Sequence, residues 1–338
     1  MLRAIQAFIL VIMFVTACEK YEDSESIFKS QGARCIKFAN CSSPSVIIIG
    51  FAEDFLVTGT GSFVKLNEKS YSILTAAHVV SNKKVTHWFA LPTNDPTRGY
   101  ETTSEWKKKV TEDLESGKLS EYRVESFKYY DNESSVSNAH QDLALLEVPQ
   151  AYKDSIEGGI VQPHELSFEN KAKLVDQHLN QLYTITAGTN SLECDIAGYM
   201  CKLEVNGEQA KKTINNQGEL SEAQRDVINS DDRFKNFTDN KHRILHIPSD
   251  SFLDKSHPNK KDGPKIEMLP GDSGSPLIYE KDGKSYVVGV YHGTWSDEEN
   301  SSNIREVFTL LGGRQELNSG DALKADMENQ YNMKLCSP

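Results

Sequence analysis

The sequence predicts an all-β protein, because short apolar runs rich in β-branched and aromatic residues are separated by turn-forming residues. The clearest runs are residues 46–50, 56–64, 71–74, 143–148, 276–279 and 286–293. Asp282 and Gly283 lie between the last two runs, and an Asp-Gly pair favours a tight hairpin. Beyond residue 45 about 290 residues remain, enough for one globular unit with a sizeable core.

The N-terminal segment, residues 1–17, has the pattern of an export signal. Arg3 gives a short cationic start, an apolar run extends from Phe8 to Val15, and small residues precede Cys18. The apolar run is too short to span a bilayer. Val15 to Cys18 resemble a bacterial lipobox, in which the cysteine becomes the lipidated first residue. The alternative is an ordinary signal peptide with a chance cysteine at that position.

Residues 18–45 form a polar tether in this interpretation, with four acidic residues in the stretch that follows Cys18. A flexible tether would let the following domain, residues 46–338, sample space beside a membrane. We therefore expect an exported protein of the cell envelope, anchored through a lipidated Cys18 or otherwise secreted.

Three short motifs carry the chemistry of the chain. His78 lies in Thr-Ala-Ala-His-Val, Asp142 precedes Leu-Ala-Leu-Leu, and Ser273 lies in Gly-Asp-Ser-Gly-Ser-Pro. Each motif adjoins a predicted strand, where a rigid scaffold can hold a functional side chain. A serine hydroxyl needs an imidazole to take its proton and a carboxylate to hold that imidazole in the right tautomer. The three residues are therefore a candidate nucleophile, base and orienting carboxylate.

Gly271 gives the Ser273 motif a second feature. A glycine there lets the backbone bend until its own N–H and that of Ser273 point at one spot, and two such donors make an oxyanion hole. Taken alone, the segment is also compatible with a Gly-Asp-Ser-Gly turn that only reverses the chain. The upstream His78 and Asp142 motifs favour the catalytic interpretation.

Together these motifs resemble the chymotrypsin/trypsin-like serine peptidases, in their bacterial trypsin-like peptidase branch. The chain order His, Asp, Ser differs from the orders of subtilisin-like enzymes and α/β-hydrolases. The resemblance implies two six-stranded antiparallel β-barrels, one over residues 46–165 and one over residues 180–338. Helical insertions are expected at residues 104–120 and 208–241, and residues 322–335 resemble the closing C-terminal helix of the family.

The resemblance also implies roles for individual residues. His78 would act as general base and then acid, Asp142 would orient it, Ser273 would attack, and Gly271 with Ser273 would form the oxyanion hole. The strand after the nucleophile hairpin would line the substrate pocket; the residues concerned are Tyr291, His292 and Gly293. The implied activity is hydrolysis of protein or peptide substrates through an acyl-enzyme.

Substrate preference remains open between two interpretations of Glu267. Its offset from Ser273 matches the pocket floor of trypsin-like enzymes, where a carboxylate favours a basic side chain. Because Pro270 interrupts the stretch and no flanking cysteine fixes its register, an exposed loop acid is equally compatible. Preference for an acidic side chain is not expected, because Tyr291 stands where the glutamate-specific branch has its substrate-reading histidine.

Composition excludes several other functions. The net charge of −12 provides no basic surface for nucleic acid. The sequence contains no Cys-x-x-Cys, His-Glu-x-x-His or EF-hand motif, so we expect neither a catalytic metal nor another cofactor.

The alternative to an active endopeptidase is a catalytically silent or latent peptidase-fold binding protein. Such proteins usually lose a catalytic residue, whereas all three candidates are present here.

Overall fold

The computed structural model describes residues 44–52, 56–92, 103–129, 142–169, 171–186, 201–210, 244–253, 268, 271–297 and 300–312. The predicted signal, the tether with Cys18, Glu267, most of the second insertion and the C-terminal helix lie outside the described residues.

The described chain is mostly β-structure. In chain order the strands are β1 (Ser45–Phe51), β2 (Leu56–Asn67), β3 (Ser70–Thr75), β4 (His87–Pro92), β5 (Arg123–Val124), β6 (Phe127–Tyr129), β7 (Ala144–Leu146), β8 (His164–Leu166), β9 (Tyr183–Thr186), β10 (Cys201–Val205), β11 (Ile244–Pro248), β12 (Phe252–Leu253), β13 (Pro276–Lys281), β14 (Lys284–Asp297) and β15 (Asn300–Leu310). All six apolar runs named above therefore contain strands, as predicted.

A few helices interrupt the strands. They are α1 (Ala77–Val80), α2 (Thr103–Glu115), α3 (Gln150–Glu157), short 3₁₀ turns at Ser120–Tyr122 and Ser249–Ser251, and an irregular segment composed of Lys171–Lys173, Leu174–His178 and Leu179–Gln181. Residues 207–210 are also helical. Helix α2 falls within the first predicted insertion. Among the described residues, no helix has the length and apolar character needed to cross a membrane.

The hairpin between β13 and β14 has the predicted geometry. Asp282 and Gly283 both have positive φ, 53° and 74°, which is the requirement of a type I′ turn. The register pairs Lys281 with Lys284 across this turn and Pro276 with Val290 at the far end. The residues before β13 are thereby brought next to the middle of β14.

The fifteen described strands form one hydrogen-bonded sheet, which does not close within the described residues. Its main path runs β12-β10-β9-β13-β14-β8-β2-β1-β4-β5, and β3, β6, β7, β11 and β15 branch from it. Strand β8 pairs in parallel with both β2 and β14. It therefore joins the first half of the chain, β1 to β7, to the second half, β9 to β15.

The core follows this division only in part. Strand β1 is buried on both faces: Val46 and Ile48 enter the main cluster, while Ile47 and Ile49 pack with Val110 of α2. The main cluster also takes in side chains of the second half, and a separate cluster lies wholly within residues 174–310. The two halves consequently share packed apolar surface.

Candidate active site

His78 and Asp142 meet because two strands end at the same edge. Strand β3 leads into α1, which carries His78, and Asp142 lies two residues before β7. The two strands are antiparallel, with Thr75 paired to Ala144. The end of one strand therefore lies beside the start of the other, and the two side chains project from neighbouring positions.

Asp142 accepts three hydrogen bonds at this edge. Its Oδ1 accepts from the backbone N–H of His78 at 2.7 Å, and its Oδ2 lies 2.6 Å from Nδ1 of the same residue. Nδ1 of His292 lies 2.5 Å from the same Oδ2. Asp142 is 0% exposed, whereas the His78 side chain is 33% exposed. The carboxylate is thus buried behind an imidazole that solvent and substrate can reach.

The electrostatics of the pair follow from these contacts. Burial alone raises the pKa of Asp142, but the charges of His78 and His292 and hydrogen bonds from both hold it well below its usual range. Burial lowers the pKa of His78, yet the charge of Asp142 and the hydrogen bond to it outweigh burial, and the pKa is raised. Asp142 is therefore anionic at neutral pH and strengthens His78 as a base.

The loop that carries Ser273 lies against the backbone around His78. Thr60 of β2 donates its N–H to the carbonyl of Ser273 at 2.8 Å and its hydroxyl to the carbonyl of Gly271 at 3.2 Å. Gly274 has a φ of 87°, and a Cβ there would overlap the Thr60 carbonyl and the Thr75 hydroxyl. Only a glycine lets the loop come this close to the strand that precedes His78.

The second half holds the other side of this loop. Gly274 donates its N–H to the carbonyl of Tyr291, and Tyr291 donates its N–H to the carbonyl of Ser275, each at 2.8 Å. Tyr291 belongs to β14, so the strand predicted to line the substrate pocket also fixes the loop. The Ser273 loop is therefore clamped between β2 of the first half and β14 of the second half.

Two backbone donors in the loop have no acceptor among the residues that the structure describes. Within the described part of the chain, the N–H groups of Gly271 and Ser273 donate no hydrogen bond, whereas those of Gly274 and Ser275 do. Gly271 has a φ of 105°, the left-handed geometry predicted for a backbone bend here. The two groups are candidate donors to a ligand oxygen.

The link between Ser273 and His78 is open in this structure. Ser273 is half-buried, and no hydrogen bond joins its hydroxyl to His78. Catalytic hydrogen bonds are often long or poorly aligned in the absence of substrate. The structure thus forms the His78–Asp142 contact and brings the Ser273 backbone beside it without the third contact.

The predicted pocket residues have different positions. Tyr291 is 2% exposed, and its hydroxyl donates to Glu306 at 2.8 Å, so its ring lies in the core. His292 is turned to Asp142, and Gly293 is half-buried with open space around its Cα. Glu267 lies outside the described residues, and Asp272, beside the candidate nucleophile, is buried.

Glu306 is a buried residue that motif reasoning missed. It lies on β15 with 0% exposure and accepts hydrogen bonds from several segments around the site. The donors are Ser249 Oγ at 2.6 Å, Tyr291 Oη at 2.8 Å, Thr294 Oγ1 at 2.9 Å and the backbone N–H of Met268 at 3.4 Å. Burial raises the pKa of Glu306, and these hydrogen bonds oppose that rise only in part. A lone acidic residue in a strand carries no motif that would have revealed it.

His78, Asp142 and His292 also form a group of the type that can hold a metal ion. Their nitrogen-to-oxygen separations of 2.5 and 2.6 Å are hydrogen-bond distances. Ligands on a tetrahedral zinc ion, with bonds near 2.0–2.1 Å, lie roughly 3.3 Å apart. The spacing therefore fits shared protons rather than a shared ion.

Comparison with known proteins finds structural similarity to a protease. No protein-family model matches the sequence, and no curated protein matches it. Among solved structures, the chain is similar to the crystal structure of the protease Anisep from Arthrobacter nicotinovorans. The alignment covers 83% of this chain and 95% of Anisep, with 12% sequence identity and a TM-score of 0.43.

Proposed function

We propose that the protein is a serine-type endopeptidase with the two-barrel fold of the chymotrypsin/trypsin-like family. The observation that carries the proposal is the hydrogen-bonded His78–Asp142 pair beside a Ser273 loop in which two N–H groups have no acceptor among the described residues. Strand β8, which joins two β-rich halves in this structure, supports the division into two barrels. The site lies where the halves meet.

The geometry suits acyl transfer. Asp142 holds Nδ1–H of His78, which leaves a lone pair on Nε2 to take the Ser273 proton as the hydroxyl attacks the peptide carbonyl carbon. The carbonyl oxygen becomes an oxyanion, and the N–H groups of Gly271 and Ser273 are the candidate donors to it. His78 then gives its proton to the leaving amine, and water repeats the sequence to release the acid.

A second candidate is a latent or catalytically silent form of the same fold. It is favoured by the open contact between Ser273 and His78. A latent form would need substrate or a partner to draw the hydroxyl toward the imidazole.

Labelling with a fluorophosphonate separates these candidates. The full-length protein should label, and Ser273→Ala should not, because the probe bonds only to an activated serine hydroxyl. Thermal melts of the two proteins should coincide. Unlabelled but well-folded wild-type protein would favour the latent form, and labelling of Ser273→Ala would refute the assignment of the nucleophile.

Substrate preference requires a separate measurement. We propose that Glu267 contributes to a pocket for basic side chains, since a carboxylate there would pair directly with Arg or Lys. Digestion of a peptide library reads the preference, and Glu267→Lys should reverse it. An unchanged cleavage pattern in Glu267→Lys would assign this residue to an exposed loop.

We also propose export and anchoring through a lipidated Cys18, with proteins or peptides of the cell envelope as the accessible substrates. The support is the signal-like pattern of residues 1–17. Buried acyl methylenes contribute about 0.8 kcal/mol each to membrane binding. Cys18→Ser should therefore move the protein from the membrane fraction to the soluble fraction, and an unchanged membrane pool would argue against lipidation.

A further inference from the structure

His292 and Asp142 are in contact although 150 positions separate them in the chain. The two residues come from different halves, His292 from β14 and Asp142 from the segment before β7. The side chain of His292 is 11% exposed, and its ring meets the His78 ring edge-on with centroids 5.4 Å apart. Two imidazoles thus converge on one carboxylate oxygen.

The charge of Asp142 determines which ring nitrogens of His78 and His292 carry a hydrogen. Its lowered pKa keeps the carboxylate ionised at neutral pH, and an ionised carboxylate only accepts hydrogen bonds. Nδ1 of His78 and Nδ1 of His292 must therefore both carry the hydrogen. Asp142 accepts hydrogen bonds from the His292 ring, the His78 ring and the His78 backbone. The orientation of the carboxylate plane is therefore fixed by contacts from both halves of the chain.

The backbone around His292 is itself firmly held. Its neighbour Tyr291 exchanges two hydrogen bonds with Gly274 and Ser275 of the nucleophile loop, each at 2.8 Å. Tyr291 points into the core and anchors on Glu306. The pairing of β14 with β15 shifts between Tyr291 and Gly293, so His292 is the extra residue of a β-bulge, and its side chain faces Asp142. A rigid strand of the second half thus presents a donor to the carboxylate of the first half.

We propose that His292 is a positioning residue for the acyl-transfer site, which acts on His78 through the Asp142 Oδ2 that both imidazoles share. The inference rests on the proposed peptidase function and adds a residue to it. His292 holds the carboxylate in the orientation that fixes the His78 tautomer. His292 also shares the hydrogen-bonding capacity of the Asp142 carboxylate, which would otherwise interact with the His78 imidazole alone.

Several charged groups surround His292 in the described part of the chain. Asp142 and His78 approach it from the first half, Asp272 lies in the adjoining nucleophile loop, and Glu306 lies on the paired strand β15. Arg305, also on β15, bonds to His246. Variants of His292 are therefore needed to separate its effect on His78 from the effects of these other groups.

The test compares substitutions that keep or remove the donor. His292→Asn keeps an N–H at the position of Nδ1, while His292→Leu and His292→Ala remove it. His87→Leu serves as the control, because His87 is exposed on β4 and away from the site. Steady-state kinetics on a cleaved peptide and NMR titration of the ¹⁵N-labelled histidines are measured on each full-length protein.

We expect the donor-free variants to lose about 10- to 100-fold in kcat with KM nearly unchanged, the range typical of a hydrogen bond to a charged group. His292→Asn should recover most of this loss, and His87→Leu should match wild type. The titration midpoint of His78 should move to higher pH in the donor-free variants, because Asp142 then acts on one imidazole. If His292 had a merely structural role, its loss would lower the fraction of protein that reacts with the fluorophosphonate but would not move the titration midpoint of His78.

The opposite results would overturn the inference. A folded His292→Leu or His292→Ala with wild-type kcat and an unmoved His78 titration would do so, as would His292→Asn behaving like His292→Leu. Should the donor-free variants not fold, the downfield Nδ1–H signal of His292 in wild type decides, and it must disappear in Asp142→Asn. If wild type neither labels nor cleaves, the proposed function fails, and the His78 titration alone then decides the role of His292.

Discussion

Asp142, beside β7, and Glu306, on β15, are both carboxylates with 0% exposure, yet their pKa values move in opposite directions. Burial raises both. Asp142 ends below its usual range because its partners are two imidazoles that can carry positive charge. Glu306 ends above its usual range because its partners are neutral hydroxyls and a backbone amide.

The difference separates a chemical role from a structural one. A carboxylate that stays ionised can stabilise an imidazolium as it forms, which is what a catalytic base requires. A carboxylate whose charge is disfavoured is suited to a structural role as a hydrogen-bond acceptor. Glu306 accepts hydrogen bonds from the turn after β11, from Met268 and from β14. Burial alone therefore does not mark a functional acid; the chemistry of its partners does.

Replacing each carboxylate by its amide is the strongest test of this comparison. Asp142→Asn should reduce kcat by roughly 10⁴-fold, because an amide stabilises the wrong His78 tautomer and no developing charge. Glu306→Gln should keep activity within about ten-fold, because Glu306 touches none of the three candidate catalytic residues. Comparable losses in the two variants, measured by kinetics after active-site titration, would remove the distinction.

Removing the Glu306 acceptor altogether should mainly affect stability. Glu306→Leu leaves buried donors, among them Ser249 and Tyr291, without an acceptor, and each such group costs about 1–3 kcal/mol. We expect a loss of about 3 kcal/mol or more in the free energy of unfolding, measured with urea. Glu157→Leu, at the exposed end of α3, is the control and should change stability by about 0.5 kcal/mol or less. A loss as small as that of the control would contradict the linking role of Glu306.

The pH dependence of stability should differ in sign between the two sites. The contribution of Asp142 is present above the ordinary aspartate pKa of about 3.9 and is lost as pH falls through its lower folded value. The contribution of Glu306 is present below about 4.3 and is lost as pH rises through its higher folded value. The contribution of His78 is present below about 6.5 and is lost as pH rises through its raised value.

Unfolding free energies of wild type, Asp142→Asn and Glu306→Gln between about pH 3 and 8 check these signs. The advantage of wild type over Glu306→Gln should shrink as pH rises above about 4.3, whereas its advantage over Asp142→Asn should grow as pH rises toward about 3.9. Parallel curves for the three proteins would show that neither carboxylate is perturbed by folding.

The smallest effect is expected for a single donor to Glu306. Tyr291→Phe removes the hydrogen bond of 2.8 Å to Glu306 and the contact of 2.7 Å with the Thr294 hydroxyl, while three other donors to Glu306 remain, so stability should fall by about 1 kcal/mol. Tyr279→Phe is a matched control with a longer bond of 3.4 Å to Ser167, and its loss should be smaller. Equal losses, measured by thermal and urea unfolding, would place the Tyr291 contribution in its ring rather than its hydroxyl.

Local patterns were sufficient for much of the fold. The apolar runs contain strands, the Asp282–Gly283 hairpin has its type I′ turn, and α2 lies in the predicted insertion, because each depends on neighbouring residues. The motifs around His78 and Asp142 indicated two groups that the structure joins. The two-barrel closure, the pocket role of Glu267 and the lipidation of Cys18 stay predictions.

Long-range contacts were beyond those patterns. Sequence reasoning assigned Tyr291 and His292 together to the substrate pocket, and the structure turns one into the core and the other onto Asp142. Strand alternation predicts that neighbours face opposite ways, but not which side chain meets which partner. The parallel pairing of β8 with β2 and β14 likewise has no local signal.

The sequence by itself determined the residue types, their chain order and the strands next to which they lie, since these follow from local chemistry and periodicity. Only the tertiary structure decided that Asp142 serves two imidazoles and that Glu306 is buried among neutral donors. The physical reason is that a pKa and a hydrogen bond depend on all groups within a few ångströms, and folding brings those groups from segments far apart in the chain.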